Sequence, residues 1–269
     1  MTPPAVQPGR HTPAGENRLV AMRVRFRLAS LLPFAAVVAL WFAVTAGGAV
    51  NPIFLPSPGR TLLSLGSLLT AAFFRENLLP SVIRVGGAFA LSAAIAVPLG
   101  VLSGNVPAVA RAVLPLCSFT RYLPVAALVP LCILWLGIDN AQKIAVITLG
   151  SVFQLLILVA GDTAAVPQDL VEAARTFGLS RGAVLWRVVL PWAMPALWND
   201  LRVCAGWAWS YLVLAELVAG NRGLGYFIIQ SQRYLETDRV FAGILLIGLL
   251  GLATDQIFRL SALRIFRWM

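Results

Sequence analysis

Seven polar or aromatic side chains lie within otherwise apolar stretches, where they could line a path for a polar solute. They are Arg121, Tyr122, Gln154, Trp207, Ser210, Tyr211 and Glu216. An ionisable group inside an apolar segment is costly, so it indicates a functional role by default. Each of these side chains, taken alone, is more often a packing or membrane-interface residue than a ligand contact. For Glu216, a structural hydrogen bond to the loop that holds Gly223 and Gly225 is the favoured interpretation.

Residues suited to catalysis or metal binding are scarce. The one histidine, His11, lies in a segment rich in proline and glycine, and Cys117, Cys132 and Cys204 lie in apolar runs without a CxxC pair. Such cysteines are expected to be small buried hydrophobic residues. The chain lacks paired carboxylates, a histidine cluster and a GxxxxGK[ST] nucleotide-binding loop. An intramembrane enzyme is therefore disfavoured, and no cofactor or metal is expected in this chain.

The composition points to a membrane protein. Of the 269 residues, 59% are hydrophobic and 12% are charged, with a mean hydropathy of +0.84. Soluble domains carry about 25% charged residues. The net charge of +10 could suggest a nucleic-acid partner. Because the arginines cluster beside apolar runs, they indicate membrane topology, and no nucleic-acid partner is expected.

Six apolar runs are long enough to cross a bilayer, which takes about 20 residues per helix. They cover residues 28–50, 82–103, 112–136, 142–161, 192–219 and 240–260. The third run contains Pro115, Pro124 and Pro130, which predict a kinked helix. This helix could lie beside the translocation path, or it could be kinked only for packing, and the sequence leaves both alternatives open.

Arginines on both flanks of the six runs set the expected orientation. Four of them lie within residues 18–27, and three more lie at 259, 264 and 267. Positive charges favour the cytoplasmic side. We therefore expect a cytoplasmic tail over residues 1–27, a six-span domain over 28–260 and a cytoplasmic tail over 261–269, in a bacterial inner membrane.

Acidic residues near the ends of the later runs have candidate partners. Asp200 and Arg202 are expected to pair with each other or to anchor at the lipid headgroups. Asp162 could form a helix cap or pair with an arginine of the loop that follows it. Asp255 is expected to pair with Arg259, four residues further along the helix.

A polar segment over residues 166–191 interrupts the apolar pattern. Pro167 suits a helix start, and Gly178 a helix end. Ser180 is a good N-cap for a second short helix over 181–189, and Pro191 is expected to stop or kink it. The pattern predicts two short helices on the cytoplasmic side.

The order Glu172-Ala173-Ala174, then Gly178, then Leu190-Pro191 resembles the EAA loop of permease subunits from bacterial ABC importers, with Val188 where that family often has isoleucine. Without this spacing, an amphipathic loop on the membrane surface would be favoured. Further stretches resemble the permeases of the nitrate, sulfonate and taurine group. They are IFLPSP at 53–58, RYLPVAALVPLCILWLGI at 121–138, LPWAMPALWNDLR at 190–202 and AELVAGNRGLGYFI at 215–228.

The resemblance implies a six-span permease with the type I ABC importer fold, which carries a small anion such as nitrate, sulfonate, taurine or bicarbonate into the cytoplasm. It implies a homodimer, two copies of an ATPase subunit that binds ATP and Mg, and a periplasmic or lipid-anchored binding protein. The residues it assigns to ATPase coupling are Glu172, Ala173, Ala174, Arg175, Gly178, Arg181, Leu190 and Pro191. Ala173 and Ala174 would keep the contact face small, whereas Arg175 and Arg181 could contact the ATPase or lipid phosphate.

An ion-coupled secondary transporter is the alternative from another class. It would be expected to show acidic or histidine relays in mid-span and an inverted repeat. Neither is evident, and the loop over 166–191 favours the importer.

Overall fold

The computed structural model describes residues 32–48 and 50–267 of the chain. The chain divides into two compact units, Met1–Arg60 and Thr61–Met269. The predicted tail over residues 1–27 lies outside the described residues.

The described part of the first unit contains one apolar helix, α1, which spans Leu32–Ala46. The indole of Trp41 donates a hydrogen bond of 2.9 Å to the carbonyl oxygen of Pro56. At 1.5 Å per residue, α1 is about 22 Å long, which is shorter than the roughly 30 Å of a bilayer core. The first predicted span, residues 28–50, is described only in part.

Helices make up all the regular structure among the described residues, as expected for an all-α protein. After α1, the elements in chain order are α2 (Pro58–Ser67), α3 (Ala71–Phe73), the π-helical turn π1 (Phe74–Leu78), α4 (Leu79–Asn105), α5 (Pro107–Thr120), α6 (Val125–Leu136) and α7 (Asn140–Ala164). They continue with α8 (Gln168–Thr176), α9 (Arg181–Val184), the π-helical turn π2 (Leu185–Val189), α10 (Leu190–Ala219), α11 (Leu224–Arg233) and α12 (Thr237–Ile265).

Four helical stretches among the described residues are long and apolar enough to cross a membrane. They are Ala71–Asn105, Asn140–Ala164, Arg181–Val218 and Thr237–Ile265. A fifth crossing results if α5 and α6 count as one broken span. The prediction of an all-α, multi-pass membrane protein is confirmed, and these crossings correspond to the second to sixth predicted runs.

The third predicted run is not a kinked helix, because it divides into α5 and α6 with a bend of 102° between them. The break covers residues 121–124. Pro124 supplies no backbone N–H, and it disfavours the helical conformation at Leu123. A new helix therefore begins at Val125 instead of continuing the old one.

Pro191 does not stop the preceding helix, so that part of the prediction is wrong. Helical structure runs without interruption from α9 through π2 into α10, with Pro191 in the first turn of α10. Pro80 stands in the same place after π1. In both cases a π-helical turn comes directly before a Leu-Pro pair. The wider π-helical turn makes room for the proline ring, which would clash with the preceding turn of a regular α-helix.

Helix α4 packs against α7 along a stripe of small residues spaced four apart. The stripe comprises Ala88, Ser92, Ala96, Gly100 and Gly104, and the first four of these are buried. The hydroxyls of Ser92 and Ser151 lie 3.0 Å apart. A Cβ at Gly100 would lie 2.7 Å from the Cβ of Val159. Small residues allow such close approach of helix backbones, which drives association within lipid.

Helices α10 and α12 are joined by polar contacts that differ from the predicted pairs. Arg202 donates to both carboxylate oxygens of Asp255, at 2.5 Å from Nε and 2.9 Å from Nη2. The predicted partner Arg259 adds an electrostatic attraction to the same carboxylate, and among the described residues it forms no hydrogen bond with it. Residues two apart on a helix do not face each other. Asp200 is accordingly buried on another side of α10, where it interacts with Asp162 instead of an arginine.

The core of the second unit consists of two hydrophobic clusters. One joins α8, α9 and π2 to α4, α7 and α10, and includes Val171, Val184 and Leu155. The other joins α4, α6, α7, α10 and the start of α11, and includes Val146 and Leu224. Below, the end of this unit that holds the first cluster is called the α8 end, and the end that holds the second cluster is called the α11 end.

Candidate functional site

A cavity of about 280 Å³ lies at the break between α5 and α6. It brings together three of the seven predicted path residues: Arg121 from the break, Gln154 from near the middle of α7 and Tyr211 from α10. Val125, in the first turn of α6, also lines it. The N-terminus of α6 carries a partial positive charge and the guanidinium group of Arg121 a full one. This cavity, which we call the Arg121 cavity, therefore favours an anion.

A glycine positions one wall of this cavity. A Cβ at Gly150 would lie 2.7 Å from the ring of Tyr211, so the ring rests directly on the backbone of α7. One turn further along α7, Nε2 of Gln154 donates a 3.2 Å hydrogen bond to the phenol oxygen of Tyr211. The tyrosine is therefore fixed at both its ring and its hydroxyl.

Tyr122 holds Arg121 from outside the cavity lining. The Tyr122 hydroxyl accepts a 2.7 Å hydrogen bond from Nη2 of Arg121, and the guanidinium carbon lies 4.7 Å from the ring centroid. Among the described residues, Arg121 forms no ion pair with a carboxylate. Its charge is thus oriented by a neutral partner and remains available to a solute.

Three of the predicted path residues lie elsewhere. Trp207 packs beside the core cluster at the α8 end, and Ser210 is exposed. Glu216 is fully buried at the α11 end. None of the three lines the Arg121 cavity.

Glu216 instead anchors the loop between α10 and α11, as the favoured interpretation expects. Its carboxylate accepts hydrogen bonds from the backbone N–H of Gly225 at 2.8 Å, from Ser81 at 2.8 Å and from Arg84 at 2.6 Å. A side chain at Gly223, where φ is +122°, would collide with the carboxylate. The sequence pattern does not single out Ser81 or Arg84, although an arginine at the non-cytoplasmic end of a predicted span is a usable signal.

The loop between α7 and α10 forms the two predicted helices, with a glycine turn between them. Gly178 has φ of +80°. Its N–H bonds the carbonyl of Arg175 at 2.9 Å, and the N–H of Leu179 bonds that of Ala174 at 3.2 Å. This is a Schellman motif, which explains the glycine. Ser180 caps α9 by accepting a 3.3 Å hydrogen bond from the N–H of Ala183.

The two alanines of the loop differ in exposure. Ala173 is exposed, together with Leu170 and Phe177. Ala174 is only 8% exposed and packs with Val171 in the core cluster at the α8 end. The expectation that both alanines form one contact face is therefore wrong, since neighbouring residues on a helix point about 100° apart.

The remaining loop residues divide between solvent and core. Glu172 is exposed. Arg175 and Arg181 line a cavity of about 350 Å³ beside the turn between α4 and α5. Leu190 and Pro191 belong to the first turn of α10.

Among the described residues, no group of three or more histidine, cysteine, aspartate or glutamate side chains could hold a metal ion.

Comparisons with known proteins agree with this architecture. Residues 96–267 match the family described as the binding-protein-dependent transport system inner membrane component. The chain is 32% identical to SsuC of Bacillus subtilis, an aliphatic sulfonates transport permease protein, over 88% of this chain and 86% of the relative. It is 31% identical to TauC of Escherichia coli, a taurine transport system permease protein, over 89% of each.

The fold is also that of a solved transporter chain. A chain of the MetNI methionine ABC transporter, in an inward-facing conformation, superposes with a TM-score of 0.58 at 21% identity. The match covers 71% of this chain and 98% of that one. With the apolar spans, the family match and the two permease relatives in agreement, this chain belongs to the inner membrane components of binding-protein-dependent transport systems, the permeases of ABC importers.

Proposed function

We propose that this chain forms the translocation path of an ATP-driven importer for a small sulfonate-type anion, within the wider class that includes nitrate and bicarbonate. The observation that carries the proposal is the Arg121 cavity. It places a guanidinium group, an amide and a phenol at a helix break between apolar spans. The names of SsuC and TauC add the sulfonate group, which is common to aliphatic sulfonates and taurine.

The Arg121 cavity suits transient contact with such an anion. Arg121 supplies charge, and the first turn of α6 supplies the positive end of a helix dipole. Gln154 and Tyr211 add neutral polar groups, and no carboxylate of the described residues lines the cavity. A site with one cation and a partly apolar wall holds an anion without binding it tightly, which favours release on the far side.

The exposed apolar face of α8, formed by Leu170, Ala173 and Phe177, is the proposed contact with an ATPase subunit. Phe177 is 84% exposed, and Glu172 lies beside this face. The opposite side of α8 packs into the core of the permease. Movement of a bound ATPase would therefore be passed directly to the spans.

The proposed assembly has two permease copies, two ATPase copies and a periplasmic or lipid-anchored binding protein. ATP and Mg would be held by the ATPase subunits, and both permease termini would lie in the cytoplasm of the bacterial cell.

The test reconstitutes the chain in nanodiscs with the ATPase encoded beside it and the matching binding protein. We expect binding-protein-stimulated ATP hydrolysis in the wild type and its loss in Ala173→Trp, because a bulky group on the exposed face would obstruct docking. The thermal unfolding midpoint of this variant should stay unchanged. Ala174→Trp is the matched variant, and it should lower the midpoint because its site is buried.

A second arm follows uptake of ethanesulfonate into proteoliposomes. Arg121→Gln should lower uptake, while ATP hydrolysis by the complex persists. Failure of any ATPase to associate would refute the importer mechanism and leave a stand-alone transporter as the working hypothesis. Normal coupling in Ala173→Trp would refute the proposed contact face on α8.

A further inference from the structure

A second polar cavity lies at the α11 end, apart from the Arg121 cavity. Its volume is about 290 Å³, and we call it the basic cavity. It is open on one side and is lined by the start of α4, the turn between α6 and α7, the first turn of α7 and the loop before α11. Its lining residues are Pro80, Arg84, Ile138, Asp139, Asn140, Lys143, Asn221 and Arg222.

Two of the lining cations are buried. Lys143 is 1% exposed and Arg84 is 4% exposed. The ammonium group of Lys143 donates to the carbonyl oxygens of Ile138, at 2.8 Å, and Asp139, at 3.4 Å. These carbonyls orient the ammonium group without neutralising it. Among the described residues, Lys143 has no carboxylate within ion-pair distance.

Some of the hydrogen-bond donors of Arg84 are already used by neighbouring groups of the protein. Its Nε donates to Asn140 at 2.7 Å, and its Nη1 donates to Glu216 at 2.6 Å and to the carbonyl oxygen of Arg222 at 2.8 Å. No described residue accepts a hydrogen bond from its Nη2. The side chain is thus held rigidly, and part of its donor capacity is still available.

The charges around the basic cavity do not balance. Among the buried groups, Arg84 and Lys143 contribute two positive charges and Glu216 contributes one negative charge, which leaves an excess of one. The exposed residues Arg222 and Asp139 add one charge of each sign. A buried charge is stable only when it is paired and hydrogen-bonded. A monovalent anion with several acceptor oxygens would balance the charge and accept from the free donors.

We propose that the basic cavity is a binding site for a small monovalent oxyanion, such as a sulfonate, separate from the Arg121 cavity. In the proposed orientation it lies on the non-cytoplasmic side, where a solute would arrive first. Its role as an entry site for the transported anion rests on the proposed function. The binding site itself rests only on the buried cations and their geometry.

The test measures thermal unfolding of the full-length chain, purified in lipid-free detergent, by intrinsic tryptophan fluorescence. Ethanesulfonate is the probe, and sodium chloride at equal ionic strength is the reference. The unfolding midpoint should rise with ethanesulfonate and reach saturation, since a ligand that binds only the folded state stabilises it. Arg222→Gln should weaken the apparent affinity about tenfold or more through loss of a charged hydrogen bond.

Three further variants make the result specific. Arg239→Gln removes another exposed arginine of the same end that does not line the cavity, and it should respond like the wild type. Lys143→Met should lose the rise in unfolding midpoint with ethanesulfonate. If this variant misfolds because Lys143 is buried, Arg222→Gln still tests the proposal. Arg121→Gln should keep a saturable response at this site.

Several outcomes would overturn the proposal. They are an unchanged ethanesulfonate response in Arg222→Gln and Lys143→Met, an equal response to chloride, and loss of the response in Arg121→Gln alone. Absence of sulfonate uptake by the wild-type complex would instead overturn the proposed function, and it would leave the binding result intact.

Discussion

The buried ion pair between Arg84 and Glu216 allows one prediction to be worked through quantitatively. Both side chains are almost fully buried, and their closest atoms are 2.6 Å apart. Removing one partner of a buried pair strands the other charge, which costs about 3–5 kcal/mol. Glu216→Ala should therefore lower the free energy of unfolding by that amount, which reduces the folding equilibrium constant by between about a hundredfold and a few thousandfold.

The chain contains a matched pair of the same chemistry in an exposed setting. The closest atoms of Arg239 and Glu236 lie 2.8 Å apart, but their side chains are 47% and 41% exposed. Exposed pairs contribute about 0–1 kcal/mol. Arg239→Ala should thus change stability little. The double variant Arg84→Met/Glu216→Leu should cost less than the sum of its two single variants, because neither charge is left stranded.

The assay is reversible unfolding in mixed micelles, with SDS as denaturant and far-ultraviolet circular dichroism as the signal. Equal midpoints for Glu216→Ala and Arg239→Ala would contradict the reasoning, since burial is the main difference between the two pairs. Additive costs in the double variant would also contradict it, because they would show that the two charges do not stabilise each other.

Two further predictions concern glycines at helix contacts, each with a control in the same helix. Gly150→Ala should lower sulfonate uptake and leave the fold intact, because its Cβ would displace Tyr211; Gly161→Ala, which meets nothing within 4 Å, should transport normally. Gly104→Leu should separate α4 from α7 and cost about 1–3 kcal/mol or more, measured by SDS titration. Gly86→Leu, with open space around it, should leave the midpoint near that of the wild type.

Local chemistry in the loop over residues 166–191 could be predicted well. Gly178 and Ser180 act through hydrogen bonds to residues at most four positions away, so their roles depend little on the rest of the fold. The faces of α8 could not be assigned in the same way. Whether Ala173 or Ala174 points outward depends on where π2 and the spans lie, and these are fixed by long-range packing.

Prolines show a similar division between local and long-range information. Pro124 is a visible breaking signal, but the 102° bend between α5 and α6 depends on how the two helices pack. Pro191 looks like a stop signal, yet the helix continues through it after a π-helical turn. The recurrence of this arrangement at Pro80 shows that Leu-Pro alone does not mark a helix boundary in this chain.

The partners of the buried charges are the features least accessible from sequence. Arg84 and Glu216 are separated by 132 positions, and many pairings of opposite charges satisfy the same composition. Asp255 is an example. Its hydrogen-bond partner is Arg202 of another helix and not the nearby Arg259, because the guanidinium group of Arg202 donates two hydrogen bonds that match the geometry of the carboxylate. Two well-directed bonds from a neighbouring helix outweigh a single contact along the same helix.

The position of α8 in the core has a consequence for how the proposed coupling would operate. Val171 and Ala174 of α8 share one hydrophobic cluster with Val184, with Leu155 of α7 and with Leu197 of α10. Close-packed clusters resist compression and transmit displacement. An ATPase that pulls on the exposed face of α8 would thus move α7 and α10 together, and these helices carry Gln154 and Tyr211 into the wall of the Arg121 cavity. Coupling and solute contact would then depend on the same packed helices, without a flexible linker between them.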